Sequence, residues 1–227
     1  PARLPRCCRR CLVNLVYRFG QLCYLHGMTA KLAIDALFER ALQESPQDLP
    51  DTDFGWLDTD ANKGELGRLR ALGGARIDTL MGFEIWSATD PMNELTSIYA
   101  FDPKVNHLAF QVTVDDETVK SIGKAAVQVA LWRSPEYAPG LPRAIFWKHV
   151  FTRHDCAVSD VGQTRDGRTF WRDRISEGLK KGLKVGLVNT DNGRTFEINS
   201  IEQYSRMASL AYGQDDRYAS FRFFLKA

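Results

Sequence analysis

From residue 76 onward the apolar residues stop recurring at helical spacing and begin to alternate. That change constrains the fold more than any other feature of the chain. His107–Val114 is the clearest stretch: Leu108, Phe110, Val112 and Val114 fall on one side, and His107, Ala109, Gln111 and Thr113 on the other. Strict alternation marks a half-buried strand. Leu95–Phe101 reads as the strand before it, closed by Asp102-Pro103. Met81–Ser87 reads as the strand before that, with Asp90-Pro91-Met92-Asn93 as the turn between. Three short strands joined by turn residues predict a β-meander.

Helical patterns flank this region. Residues 29–44 place Ile34, Leu37, Phe38, Ala41 and Leu42 at helical spacing and end at Ser45-Pro46. Residues 45–63 are acidic, contain Pro46 and Pro50, and read as a linker on which Phe54 and Trp56 are docking residues. A short helix is expected at 64–72. The stripe Val119, Ile122, Ala126, Val129 and Ala130 predicts a buried helix over 116–134. The run Ala144–Phe151, followed by Asp155–Val158, predicts strand. Residues 166–181 read as helix, 184–189 as strand, Asp191-Asn192-Gly193 as a hairpin turn and 195–199 as strand. Ser200 with Gln203 forms a capping box for a helix to about Leu210, and 218–225 is the last strand. The expected class is α+β (or α/β), with a mixed, largely antiparallel central sheet flanked by helices.

Composition permits this. The chain has 227 residues, 44% hydrophobic and 26% charged, close to average globular usage. Thirteen Phe, seven Tyr and five Trp are enough to fill a core of one domain. Collagen, a disulfide mini-protein and a polytopic membrane protein are excluded. The net charge of +2 conceals a polarised start. Residues 1–34 hold Arg3, Arg6, Arg9, Arg10, Arg18 and Lys31 and no acid, whereas residues 35–60 set eight acids against Arg40 alone. No large basic patch for a nucleic acid stands out.

Four of the five cysteines, Cys7, Cys8, Cys11 and Cys23, fall in the first 23 residues. With His26 they have the spacing of a Cys-x-x-Cys and Cys-x-x-His zinc set, which needs four ligands. The flanking arginines disfavour a cation, and no metal is expected. Met28 is the first methionine, so residues 1–27 read as a basic extension with transit-peptide-like composition. The expected division is 1–27 extension, 28–74 helical and acidic segment, and 75–227 α/β domain. No run reaches the ~20 apolar residues of a membrane span.

The segment most suited to chemistry is Cys156–Ile175, a strand that runs into a Gly-bearing polar loop and then an amphipathic helix. Unpaired N–H groups and the dipole at such a helix start attract anions. Arg165 and Arg168 would add phosphate contacts. The order of elements and this loop together resemble the GCN5-related N-acetyltransferase (GNAT) family, in the divergent form found in phages and other mobile elements. The resemblance covers about residues 75–227. In that family a loop of the form Arg/Gln-x-x-Gly-x-Gly/Ala binds the pyrophosphate of acetyl-CoA. The corresponding stretch here is Thr164-Arg165-Asp166-Gly167-Arg168-Thr169. Its central glycine agrees, Gln163 stands one place early, and Thr169 replaces the small residue.

The resemblance implies a cytoplasmic acyltransferase that holds acetyl-CoA or another acyl-CoA with Gln163, Thr164, Arg165, Gly167, Arg168 and Thr169. It implies direct transfer to an amine of a macromolecule, either protein or nucleic acid. Tyr212 is placed as the acid, and Asp160 as the base, with Glu84 and His154 as further base candidates. His149 and His154, on a predicted strand, would face opposite sides. Two other classes compete: a non-catalytic interaction protein with the same architecture, and a nucleic-acid-binding or nucleic-acid-modifying protein using the basic helix 165–181. Splayed core strands with a tunnel favour the enzyme, whereas a filled groove with an exposed apolar patch favours the interaction protein.

Overall fold

The computed structural model describes residues 65–92, 94–134, 140–160, 163, 165–212 and 220–227. The expected helix 29–44, the linker 45–63 and the Cys7, Cys8, Cys11, Cys23 and His26 set lie outside them. The described residues form a mixed, mostly antiparallel nine-stranded sheet with four α-helices, an α+β fold. A short helix α1 (Glu65–Ala71) leads into strands β1 (Ala75–Leu80), β2 (Phe83–Thr89), β3 (Thr96–Asp102), β4 (His107–Val119) and β5 (Gly123–Arg133). These five form an antiparallel meander. After β5 come α2 (Gly140–Ile145), a π-helical turn (Phe146–Val150) and a 3-10 turn (Phe151–Arg153), and then β6 (Cys156–Val158). The chain continues through α3 (Arg165–Lys180), β7 (Lys184–Asn189), β8 (Thr195–Glu197), α4 (Ile201–Tyr212) and β9 (Phe221–Lys226). The sheet order is β1-β2-β3-β4-β5-β6-β9-β7-β8. Only β5 and β6 pair in parallel, so a crossover must join them, and the α2 segment provides it.

Three expectations are corrected. Residues 116–134 are not a helix but the end of β4 and all of β5. Ala125, Ala126, Val127 and Gln128 are all buried, because this part of β5 is covered on both faces. Such a run has no period of two to betray it and mimics a buried helix. The turn between the strands uses Ser121 and Gly123, both at positive φ. Second, 144–151 is helical, not extended. Leu141, Ile145, Phe146, Val150 and Phe151 are buried at spacings of four and then five. The extra residue is absorbed by the π-turn, whose cap N–H of Phe151 bonds to Phe146 O. Here packing overrides the β-propensity of aromatic and branched residues. Third, Met81 is in a turn and not a strand. Met81 and Gly82 both have positive φ, as a two-residue type I′ hairpin requires, and this turn creates β1, a strand the alternation does not predict.

The remaining elements appear where expected, including the capping box. Ser200 Oγ accepts from Gln203 N–H, and Gln203 Oε1 accepts from Asn199 N–H. The core lies on both faces of the sheet. On one face α1 covers Phe101, Leu108 and Trp132, and farther along Val119, Ile122, Val127, Cys156, Val188 and Phe224 cluster. On the other face the π-turn and α3 meet through Phe146, Phe170 and Trp171, whose rings contact edge to face.

Candidate functional site

Among the described strands, the parallel pair has the shortest register of the sheet. β5 and β6 are in register only at Ala126↔Ala157 and Val127↔Val158. Two residues further, Val129 has no partner in β4: Gln128 pairs with Val114 and Ala130 with Thr113. An unpaired residue of this kind is a β-bulge, which bends and twists its strand. Among the described residues, β5 and β6 form no pair beyond Val127↔Val158, where β6 ends. β6 stays with β9 instead: Ser159 N–H donates to Phe223 O at 2.8 Å, and Phe223 N–H donates to Ser159 Oγ at 3.0 Å. Among the described residues, no strand pairs with the inner edge of β5 from Gln128 to Arg133.

Under this parting, on the helix-covered face, lies a cavity of about 10 Å³. Phe110, Val112, Leu131, Val150, Ala157 and Phe170 are among its lining residues. Trp171 and Gln128 also line it. Trp171 is fully buried, and its indole N–H donates to Gln128 Oε1 at 2.9 Å.

The residues assigned to acyl-CoA lie along the exit from β6. Asp160 follows Ser159 and is half-buried. Gln163 is buried, and its Nε2 has no hydrogen-bond partner among the described residues. Thr164 is outside the described residues. Arg165 opens α3 and is exposed; Gly167 is buried inside the first turn of the helix; Arg168 is half-buried. Thr169 turns its hydroxyl back to Arg165 O at 3.1 Å. Tyr212 lies apart from that stretch in sequence but is tied to it by contacts. Its hydroxyl is 3.3 Å from that of Tyr204, and Tyr204 OH donates to Arg168 O at 3.4 Å. Both rings pack on Phe223. Burial pushes the Tyr204 phenol up to about 12 and Tyr212 well above the usual tyrosine range. Both remain protonated at neutral pH.

The other base candidates are engaged elsewhere. Glu84 projects from the face of β2 opposite the cavity, where it accepts from Arg76 at 2.8 Å and from the Trp86 indole at 3.2 Å. His154 Nε2 is 3.0 Å from Asp116 Oδ1, within reach for charge attraction but off the line of a hydrogen bond. The histidines do not flank a strand. They belong to the helical crossover, and each faces a carboxylate: His149 meets Asp78 at 2.9 Å, and His154 meets Asp116. Lys148 bonds to Asp78 as well, and this contact, first among several, lowers the Asp78 carboxyl to about 2. Burial opposes ionisation of Asp116, but Arg153 and His154 outweigh it and hold its pKa below the usual value. Two acid–base clamps thus pin the crossover to β1 and β4.

Glu177 on α3 accepts from Arg143 at 2.7 Å and from buried Arg174 at 3.0 Å. It also accepts from the Trp147 indole. Cys156 is buried, which pushes its thiol up to about 11 and leaves it unreactive. Among the described residues, no three His, Cys, Asp or Glu side chains gather into a metal site. No described helix is long and apolar enough to cross a membrane.

The residue pattern of β5 could not mark Val129 as a bulge, since a bulge is visible only in the pairing. Trp171 lies in the core. Its link to Gln128 was the missing piece, because the two are 43 positions apart. Comparison with protein families, with curated proteins and with solved structures returns no match to this chain.

Proposed function

We propose that the chain binds an acyl-CoA thioester where β5 and β6 part, and transfers the acyl group to an amine of a macromolecule, protein or nucleic acid. One observation carries this reading: the Val129 bulge leaves an inner edge of β5 without a strand partner among the described residues. An extended ligand with amide groups of its own can add to such an edge as a strand would. The pantetheine arm of CoA is such a ligand. The resemblance to GNAT proteins implies a thioester beside splayed core strands, which agrees with this position.

The attacking amine needs a base for its proton, and the leaving thiolate needs an acid. Asp160, the second residue after β6, takes the base role. Tyr212 takes the acid role, since burial keeps its phenol protonated. Gln163, with a buried amide unsatisfied among the described residues, and Arg165 and Arg168 take the pyrophosphate, with Thr164, Gly167 and Thr169 completing the stretch. Such a reaction belongs in the cytoplasm, where acyl-CoA is supplied.

A specific observation favours a second reading. Trp171 fills the space under the parting, and little cavity remains. A non-catalytic interaction protein of the same architecture would have that filled groove. Isothermal titration with CoA and acetyl-CoA separates the two. The enzyme reading expects micromolar binding, about 8 kcal/mol, for both ligands. Binding of neither overturns it and leaves the interaction reading.

A further inference from the structure

The crossover from β5 to β6 carries two histidines, and each sits against a carboxylate of the meander. His149 Nε2 is 2.9 Å from Asp78 Oδ2 on β1, and His154 Nε2 is 3.0 Å from Asp116 Oδ1 on β4. Both imidazoles are mostly buried, each only 13% exposed. The other charges at these contacts are constant near neutral pH. Lys148 Nζ is 2.6 Å from Asp78 Oδ2, and Arg153 holds Asp116 through Nε and Nη2. Both carboxyls are held below their usual range and are ionised. The Thr79 N–H on Asp78 and the Thr96 hydroxyl beside Arg153 are neutral. Asp155, next to His154, is exposed, and Arg76 is occupied by Glu84 at 2.8 Å. Among the described residues, no further acid or base lies within ion-pair distance of either ring.

The two contacts respond differently to a proton. A neutral imidazole with its hydrogen on Nε2 can already bond to Asp78, so charge adds to that contact. His154 is off the line of a hydrogen bond to Asp116, so its attraction depends on its charge. Histidine is the side chain that ordinarily changes charge between about pH 5 and pH 8. We infer that His149 and His154 make the crossover a pH-sensitive strap, which tightens on β1 and β4 in mild acid and slackens above neutrality. A histidine that gains an anionic partner on protonation contributes stability at low pH, and this is lost as pH rises. The strap reaches the core: Phe146 and Val150 of the same segment are buried, and Phe146 packs edge to face on Trp171. It needs no ligand, so it is independent of the acyl-CoA reading.

The test is amide hydrogen exchange of the full chain at about pH 5.5 and about pH 8, with rates corrected for the intrinsic effect of pH. NMR signals of the two rings over the same range report when each gains its proton. One partly screened ion pair shifts an opening equilibrium by about two- to fivefold. With both clamps acting, the amides of Phe146–His154 should be about fourfold or more better protected at the lower pH, and those of β3 almost unchanged. His154→Gln should remove most of this gain, and adding His149→Gln should remove the rest. Thermal melting reports the fold of each variant, and the single variants carry the test where the double one does not fold. Equal protection of the crossover at the two pH values overturns the strap. So does a ring that does not titrate between them, a gain shared equally by β3, or a gain that survives in folded variants.

Discussion

The meander and the parted pair are built from the same strand, β5, and they hold it in opposite ways. On one side β5 pairs with β4 along its whole length, from Phe110↔Arg133 to Val119↔Gly123, interrupted only at Val129. On its other side it pairs with β6 at two positions and no further, where β6 ends. The first contact is a backbone ladder. The second is maintained by side chains, with Trp171, Phe146 and Phe170 wedged beneath and the clamped crossover laid across the face. A ladder needs no particular residue to persist, whereas a wedge depends on a few large ones. The parted half is therefore the place where single substitutions should act most strongly.

The largest expected effect is that of Trp171→Ala. Removing this fully buried indole should cost about 3–5 kcal/mol in urea unfolding, as large aromatic truncations do. Hydrogen exchange should show protection lost first in β6 and α3, while β3 and β4 keep theirs. Equal loss in both halves would break the contrast.

A smaller effect is expected at the clamp on β4. Arg153 bonds to Asp116 at 2.5 and 3.2 Å, and also to Thr96 at 3.3 Å. Asp116→Asn should cost about 1 kcal/mol after solvent screening, measured by chemical denaturation. The cost should fall mainly on the crossover and not on the meander.

The smallest effect is expected at Asp78, and it is one of pH. The Asp78 pKa is lowered from 3.8 to about 2, chiefly by the Lys148 bond. A carboxyl depressed on folding contributes stability that is complete above its unfolded value and is lost as pH falls through the folded value. The contact of Asp78 with the crossover should therefore weaken between pH 4 and pH 2. Asp78→Asn should remove that part of the acid sensitivity by slightly lowering stability at pH 7, and leave behaviour at pH 2 almost unchanged. An acid profile identical to wild type would show that this clamp contributes nothing.

The same contrast explains what the sequence made legible. Strands with one wet face, such as β3 and the first half of β4, declare themselves by alternation. α3 and α4 do so by their stripes and caps, and β7, β8 and β9 by their turns. β5 concealed itself because Ala125–Gln128 are buried on both faces, so the residue pattern carries no period of two. The crossover concealed itself because its π-turn shifts the spacing of buried residues from four to five. Of the site, the exit from β6 and the start of α3 were readable from Gly167 and the polar residues around it. The bulge at Val129 and the Trp171–Gln128 contact were not, since both are properties of tertiary pairing and not of any local pattern.

Val129 offers the most direct test, because its deletion leaves every other β4–β5 pair in register. Gln128 would then follow its partner Val114, and Ala130 its partner Thr113, without interruption. The chain should remain folded, β5 should straighten toward β6, and the open edge should close. CoA titrated into isotope-labelled wild type should shift the amide resonances of Gln128–Arg133 and of Ser159 and Asp160. The same titration into the folded deletion variant should shift none of them. Shifts absent from this edge in wild type, or retained after Val129 is removed, would contradict a ligand site at the parting of β5 and β6.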